Sequence, residues 1–471
     1  MSALPQITDS KADALVRGTR DGYRLPTGLK HDLVWYALRG RFGPKDPIAL
    51  FEYLGREFGD IAYYTAAGRE ILFLNSPEYA REILVVQNDN FVKERTIQRS
   101  KLVLGEGMIT AEGAVHKEQR RVAQPAFHRQ RIGAYAEDIV TRAVEMRDGW
   151  RDGQTLDVSQ QMMELTLASV ARTLFGTELG ERVREINEAV NRIMGMYHYL
   201  VLLPAAERLA HWPIPPTPKL RKFKRSREAL DAAVYRMIRE HREGGDKGDL
   251  LSMMLAERPG GVADDDKLRD EVITILLAGY ETVANALTWT WYLLSQNPEA
   301  EAKLHAEIDA VLSGRTPTME DIPRLRYAEM VLAESMRLYP PAWAQGRQAL
   351  RDFELGPYRL RAHTTVLLSQ WMLHRNPVYF PDPLRFDPER HSLEAKARRP
   401  QLAYIPFGAG PRKCIGEAFA WMEALLVLAT FAQRWKLLLA EGHRVERQAL
   451  ITLRPRYGMK MVVEQRHGHD A

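Results

Sequence analysis

Apolar residues in this chain recur mainly every three or four positions, and the repeat is broken by short runs of proline, glycine and charge. That period predicts helices over 134–151, 181–197, 226–242, 264–295, 299–312, 328–339 and 415–434. Between 59 and 75 the period shortens to two. Ile61 and Tyr63, then Ile71 and Phe73, sit at like-facing positions on either side of Ala66-Ala67-Gly68-Arg69, the pattern of a β-hairpin. Little else alternates, so the expected fold class is mainly α with a small β region.

The longest helical stretch opens on Asp264-Asp265-Asp266, where acids complement the positive end of the helix dipole, and stops at Asn297-Pro298. About 30 residues at ~1.5 Å each reach ~45 Å, and a helix so long and apolar must run through the core. A proline-rich break, Trp212-Pro213-Ile214-Pro215-Pro216-Thr217-Pro218, reads as a hinge or lid connection. Lys219, Arg221, Lys222, Lys224, Arg225 and Arg227 follow it. They read either as a solvated helix face or as a contact for a membrane surface or an anionic substrate.

Composition narrows the class. Lys and Arg (66) exceed Asp and Glu (61) by five, without a basic tract, which does not favour nucleic-acid binding. Hydrophobic residues at 45% and charged residues at 27% describe an ordinary globular chain. At roughly 150 residues per domain the 471 residues allow three domains. With no repeat and no low-complexity linker, the expectation is a single domain over 1–471 with a tail over about 1–25. No apolar run approaches the ~20 residues of a membrane span. No signal-peptide pattern opens the chain either, so a cytoplasmic location without a transmembrane anchor is expected.

The single cysteine, Cys414, excludes an intramolecular disulfide and any multi-cysteine metal cage. It lies in Pro406-Phe407-Gly408-Ala409-Gly410-Pro411-Arg412-Lys413-Cys414-Ile415-Gly416-Glu417, where glycine and proline force a tight turn just before a helix. A sulfur near a helix N-terminus with Arg412 and Lys413 beside it favours thiolate. One stabilised thiolate with no second soft ligand suits the axial position of a haem iron. The spacing Gly408-x-Gly410 lacks the third glycine of a dinucleotide fingerprint, Lys413 standing in its place.

The pattern Phe407-Gly408-x-Gly410-x-Arg412-x-Cys414-x-Gly416 resembles the haem-binding loop of the cytochrome P-450 family. That resemblance implies haem b buried between the long central helix and the cysteine-loop helix. Cys414 would be the axial ligand, Phe407 would pack on the haem, and Arg412 would meet a propionate.

In the middle of the long helix stands Leu277-Ala278-Gly279-Tyr280-Glu281-Thr282-Val283-Ala284. Ala278 and Thr282 share a face, and Gly279 lacks a side chain, which would let a flat cofactor approach the backbone. The Thr282 hydroxyl can bond the Ala278 carbonyl and open a polar notch. This is similar to the family's oxygen-activation motif, with Thr282 as the hydroxyl at that site and Glu281 as the acid that feeds protons. Val283 stands where the family usually has a second Thr or Ser.

Further resemblances complete the set. Glu334-Ser335-Met336-Arg337 with Arg390 resembles the family's structural triad, and the helix around His116-Lys117-Glu118-Gln119-Arg120-Arg121 resembles its propionate-binding helix. His116, Arg120 and Arg347 are then propionate contacts. Thr96, Ile97, Leu104, Ile275, Trp343, Ile451 and Thr452 would wall an apolar substrate pocket, which favours a lipid-, terpenoid- or polyketide-like compound. Arg95, Arg99 and Lys101 could pair with a substrate carboxylate or be solvated.

The resemblance implies a bacterial-type soluble monooxygenase. Nothing after Met461 resembles a fused reductase, so a separate ferredoxin or flavodoxin with an NAD(P)H-dependent reductase is expected. Lys117, Arg121, Arg129, Arg131 and Lys413 would steer such an acidic carrier. A peroxide-driven peroxygenase, and a non-catalytic haem protein for electron transfer or gas sensing, remain as alternatives.

Overall fold

The computed structural model describes residues 14–15, 19–20, 22–42, 46–180, 182–196, 217–257 and 262–466. In chain order its principal helices are α1 (Pro47–Phe58), α2 (Gly113–Ala123), α3 (Arg129–Asp148), α4 (Val158–Phe175), α5 (Arg182–Gly195), α6 (Pro218–Gly244), α7 (Val262–Gln296), α8 (Pro298–Leu312), α9 (Arg326–Leu338) and α10 (Glu417–Ala432). The predicted helices are all present with ends moved by a few residues. Most of the proline-rich break, residues 212–216, lies outside the described residues. Its last two residues start α6, with Pro218 in the first turn and the Thr217 hydroxyl accepting from Leu220 N–H at 3.2 Å.

Helix α7 is the axis of the helical layer. It packs on α4, α6, α9 and α10, and α3 packs on α10. Among the described residues it contains the one stretch long and apolar enough to cross a membrane, Asp265–Gln296, and most of that stretch is sealed inside the protein. Its opening acids do more than complement a dipole: Asp265 pairs with Arg242, and Asp266 accepts from the Tyr235 hydroxyl, both on α6.

The strands build more than the predicted hairpin. They are β1 (Ile61–Ala66), β2 (Arg69–Leu74), β3 (Phe91–Lys93), β4 (Thr155–Asp157), β5 (Gln345–Ala349), β6 (Thr365–Leu368), β7 (Trp435–Leu439), β8 (Arg447–Ala449), β9 (Leu453–Pro455) and β10 (Lys460–Gln465). The β1–β2 turn has Ala67 and Gly68 at φ 50° and 73°, and the Asp32 carboxylate accepts both of their N–H groups at 2.9 Å. A seven-stranded sheet runs Ala14–Leu15, Gly28–Leu29, β1, β2, β6, β5, β3. Its β5–β3 edge is antiparallel and sets Lys93 directly opposite Arg347. A second sheet orders β7, β10 and β4, and β8 pairs with β9 around the turn at 450–452.

Glu334 and Arg337 on α9 are fully buried, not an exposed helix pair. Arg337 clasps both Glu334 oxygens at 2.7 and 2.8 Å and donates its remaining hydrogens to the carbonyls of His374, Pro383 and Arg385. Glu334 also accepts from Asp387 N–H and pairs with His391 Nε2 at 3.0 Å, with Arg390 Nε at 3.5 Å. The expected triad is therefore a tetrad that includes His391. Because every charge is partnered, the desolvation cost of burial is offset. Burial alone would raise the Glu334 carboxyl, and its bonds to Arg337 and His391 outweigh that and hold it below the ordinary value.

Removing one partner strands the other. Glu334→Gln should cost about 3–5 kcal/mol in urea unfolding by leaving Arg337 uncompensated. His374 is held neutral because its Nε2 accepts from Ile405 N–H at 2.9 Å, and burial pushes its pKa well below normal. A folded-state pKa lowered in this way gives stability that is full above the unfolded histidine value and lost below it. Burial lowers His391 too. The urea midpoint should therefore fall as pH drops below about 6.5, each such histidine costing about 1.4 kcal/mol per pH unit until it protonates. His391→Gln should flatten the fall.

Candidate functional site

Cys414 ends a loop whose shape is set by two glycines. Gly408 and Gly410 have φ of 71° and 70°, and Lys413 and Cys414 N–H groups bond back to Gly410 and Phe407 carbonyls at 3.0 Å each. A Cβ at Gly410 would lie 2.0 Å from the Leu84 carbonyl oxygen, so the loop seats on that backbone only with glycine there. Helix α10 starts at Glu417, slightly later than predicted, after Gly416. Phe407 lies 6.0 Å from the Trp421 ring of α10.

Cys414 is closely surrounded by protein yet accessible to solvent. Burial pushes its thiol up, while Gly416 N–H, Arg120 and Lys413 pull it down by less. Of the two expected neighbours, Lys413 does pull the thiol down, whereas Arg412 is not among the groups that act on it. Lys413 pairs with Glu417, and Arg412 turns away to Asn88 Oδ1 (2.5 Å), Phe91 O (2.9 Å) and Glu112 (2.9 Å). A coordinated metal cation deprotonates a thiol outright, so the ionisation would come from the metal.

On α7 the Thr282 hydroxyl donates to Ala278 O at 2.8 Å, as the motif predicts. Ala278, Gly279 and Thr282 are partly open, while Thr274, Ile275, Leu276, Tyr280 and Val283 around them are sealed, which marks an interior face. A Cβ on Gly279 would stand 3.2 Å from Val170, so the missing side chain lets α4 pack closely on α7 there. Glu281 is buried and accepts from the Thr452 hydroxyl. Burial raises its pKa against that bond and the charge of Arg454.

The third element is a concentration of cations. Lys93 and Arg347 face each other across the sheet edge, and His116 and Arg120 on α2 and Arg412 on the cysteine loop stand near them. Lys93 is buried with its ammonium on Met108 and Ala111 carbonyls at 2.8 and 2.5 Å. Burial and Arg412 lower its pKa to about 8 against the pull of Glu112. Burial, with Lys93, Arg412 and Arg120 nearby, lowers His116 to about 4. Burial and Arg412 bring Arg347 to about 10. Like charges directly opposite in a sheet are destabilising. Such a cluster, with Glu112 and Glu94 as its nearby acids, fits an added anion. His116, Arg120, Glu112 and Arg412 line a cleft of about 550 Å³.

The sequence model of the family described as Cytochrome P450 matches residues 25–461. The chain belongs to the cytochrome P450 family. It is 37% identical to a cyclooctatin synthase of Streptomyces melanosporofaciens, over 84% of this chain and 86% of that one. A cyclooctat-9-en-7-ol 5-monooxygenase of the same organism is 40% identical over 77% and 79%. A pentalenene oxygenase of Streptomyces avermitilis is 34% identical over 80% and 84%. The crystal structure of a cytochrome P450 (CYP102L1) superposes with a TM-score of 0.79 at 25% identity, covering 89% of this chain and 98% of that one.

This cytochrome P450 is a monooxygenase whose family cofactor is haem b. Its residues fit that group. Among the described residues no three of His, Cys, Asp and Glu gather for a bare metal ion, whereas a lone sulfur and a cation-rich cleft suit a metal inside a dianionic ring. Lys93, Glu112, His391 and Thr452's bond to Glu281 carry no sequence motif of their own here and emerge only from strand register and tertiary packing. Ile275 lies on α7 and Leu104 on a short helix packed against it, both buried, Ile97 is half-buried on the helix Arg95–Arg99, and Ile451 is exposed at the β8–β9 turn. Trp343 packs on Phe51 and donates its N–H to Leu450 O at 2.9 Å while staying partly exposed. Of the expected carrier-steering residues, Arg121 pairs with Glu257 and Arg131 donates to Gly248 O.

Gly408 and Gly410 should differ as sites for alanine. Both pay about 1–2 kcal/mol for positive φ, but only Gly410→Ala also meets backbone. Gly410→Ala should therefore retain far less haem than Gly408→Ala, read as Soret absorbance relative to protein absorbance in purified samples.

Proposed function

We infer that this cytochrome P450 hydroxylates a terpenoid, with electrons from a separate ferredoxin or flavodoxin and its NAD(P)H-dependent reductase. The observation that carries the substrate class is the set of relatives at 34–40% identity whose names specify cyclooctatin, cyclooctat-9-en-7-ol and pentalenene. The apolar residues Leu104 and Ile275, with Ile97 and Ile451, agree with it. In this reading residues 1–471 form one haem domain acting in the cytoplasm, as suits the Streptomyces relatives.

Bound haem supplies the activation of O2 and the insertion of one oxygen atom into a C–H bond. Cys414 would hold its iron. Lys93, Arg120, Arg347 and Arg412, with the imidazole of His116, would meet its propionates and so relieve the repulsion among the four cations. The Glu334–Arg337–His391–Arg390 knot keeps the segments flanking the cysteine loop in place. Thr282 presents a hydroxyl already anchored on Ala278 O. Glu281 is buried, and burial raises its pKa against the bond from Thr452 and the charge of Arg454, which favours the protonated form a proton donor needs. An acid beside the Thr282 hydroxyl favours O2 over peroxide as the oxidant, because the O2 route needs protons delivered.

The test is turnover of cyclooctat-9-en-7-ol and of pentalenene with a surrogate ferredoxin and reductase, products being identified by mass spectrometry. A new hydroxyl on either supports the reading. Activity on fatty acids but on no terpenoid would overturn it. Thr282→Ala should keep NAD(P)H consumption and divert it from product to peroxide, and Glu281→Gln should lower product formation about 100-fold.

A further inference from the structure

The turn between β8 and β9 reaches into the middle of α7 and touches its acid. Thr452 is buried there, with its hydroxyl between two α7 side chains one helical turn apart. Asn285 Nδ2 donates to Thr452 Oγ1 at 3.4 Å, and Thr452 Oγ1 donates to Glu281 Oε1. A hydroxyl has one hydrogen, so the amide N–H arriving on one side directs that hydrogen toward the carboxyl.

The turn is itself clamped. Trp289 of α7 donates its indole N–H to Leu453 O at 3.2 Å, Trp343 does the same to Leu450 O at 2.9 Å, and Leu453 N–H bonds Pro341 O at 2.9 Å. Thr452 therefore cannot drift from Glu281 without breaking bonds on both sides of it. The other carboxyl oxygen, Glu281 Oε2, is buried with no hydrogen-bond partner, and so is Asn285 Oδ1. The charged group facing this pocket is Arg454 of β9, which is engaged with Asn191 at 2.9 Å.

We propose that Thr452 is a positioning residue for oxygen activation: its hydroxyl occupies Glu281 Oε1, so the carboxyl keeps its proton on Oε2, the oxygen left free to hand it on. Ile451, beside it, is 38% exposed at the tip of the same turn. This deepens the function proposed above and rests on Glu281 being the proton source.

Thr452→Val keeps the shape and removes the donor, and Thr452→Ser keeps the donor. The haem-loaded enzyme is examined by infrared difference spectroscopy, with the Glu281 carboxyl band identified by its loss in Glu281→Gln. Thr452→Val should move that band to higher frequency, and Thr452→Ser should leave it near its wild-type position. In turnover of cyclooctat-9-en-7-ol, Thr452→Val should lower product per NAD(P)H by about 3–10-fold and enlarge the solvent deuterium isotope effect, with Thr452→Ser within about 2-fold of wild type. A band unmoved by Thr452→Val, a carboxyl band absent from the wild type, or a serine variant as damaged as the valine one would each overturn the proposal. If the band moves as expected but Glu281→Gln couples like wild type, the positioning bond stands and the proton-source reading falls.

Discussion

Unbalanced positive charge, gathered where protein alone cannot neutralise it, is the constraint around which this structure is arranged. Strand register brings Lys93 and Arg347 face to face, and α2 and the cysteine loop add Arg120 and Arg412, with His116 kept uncharged among them. Glu112 holds one end of the cluster together by bonding Arg412 and the Lys93 N–H. The lowered pKa values of Lys93, His116 and Arg347 record burial and repulsion together. A dianion in the cleft would relieve the repulsion, which is why the haem and the fold around it belong to one energetic unit.

The remaining parts serve the ring that such an anion would carry. Gly410 lets the cysteine loop sit against Leu84, α10 ties that loop to α7, and the buried Glu334–Arg337 knot pins the chain at 374–391 that precedes it. On α7, a strip of small and hydroxyl side chains leaves an interior face open within an apolar helix. The two sides of the site are thus built by different means. One is a loop held by positive-φ glycines, the other a helix held by packing.

Local chemistry was readable in the sequence because it is written in contiguous residues: the cysteine loop, the Ala278–Thr282 spacing and the Glu334–Arg337 pair each fit within one turn or one helix. Helix α4 was not, since Met162, Leu165, Val170 and Leu174 and their neighbours are buried on nearly every side and leave no polar face to set a period. The extent of the larger sheet was hidden for a related reason. Strands such as Gln345–Ala349 are short, with Gly346, Arg347 and Gln348 in place of alternating apolar residues, and one of the two partners of that strand, Phe91–Lys93, lies far back along the chain. Lys93 and Thr452 gain their meaning only from residues more than a hundred positions away, Arg347 and Glu281.

The central claim is that Cys414 and the cation-rich cleft hold haem through an axial thiolate. The absorption spectrum of the dithionite-reduced protein under carbon monoxide tests it most directly. A strongly red-shifted Soret band is the predicted result, since a thiolate opposite the carbon monoxide donates electron density through the iron. A Soret band at the unshifted position would contradict the claim, for it would mean haem bound without the Cys414 thiolate.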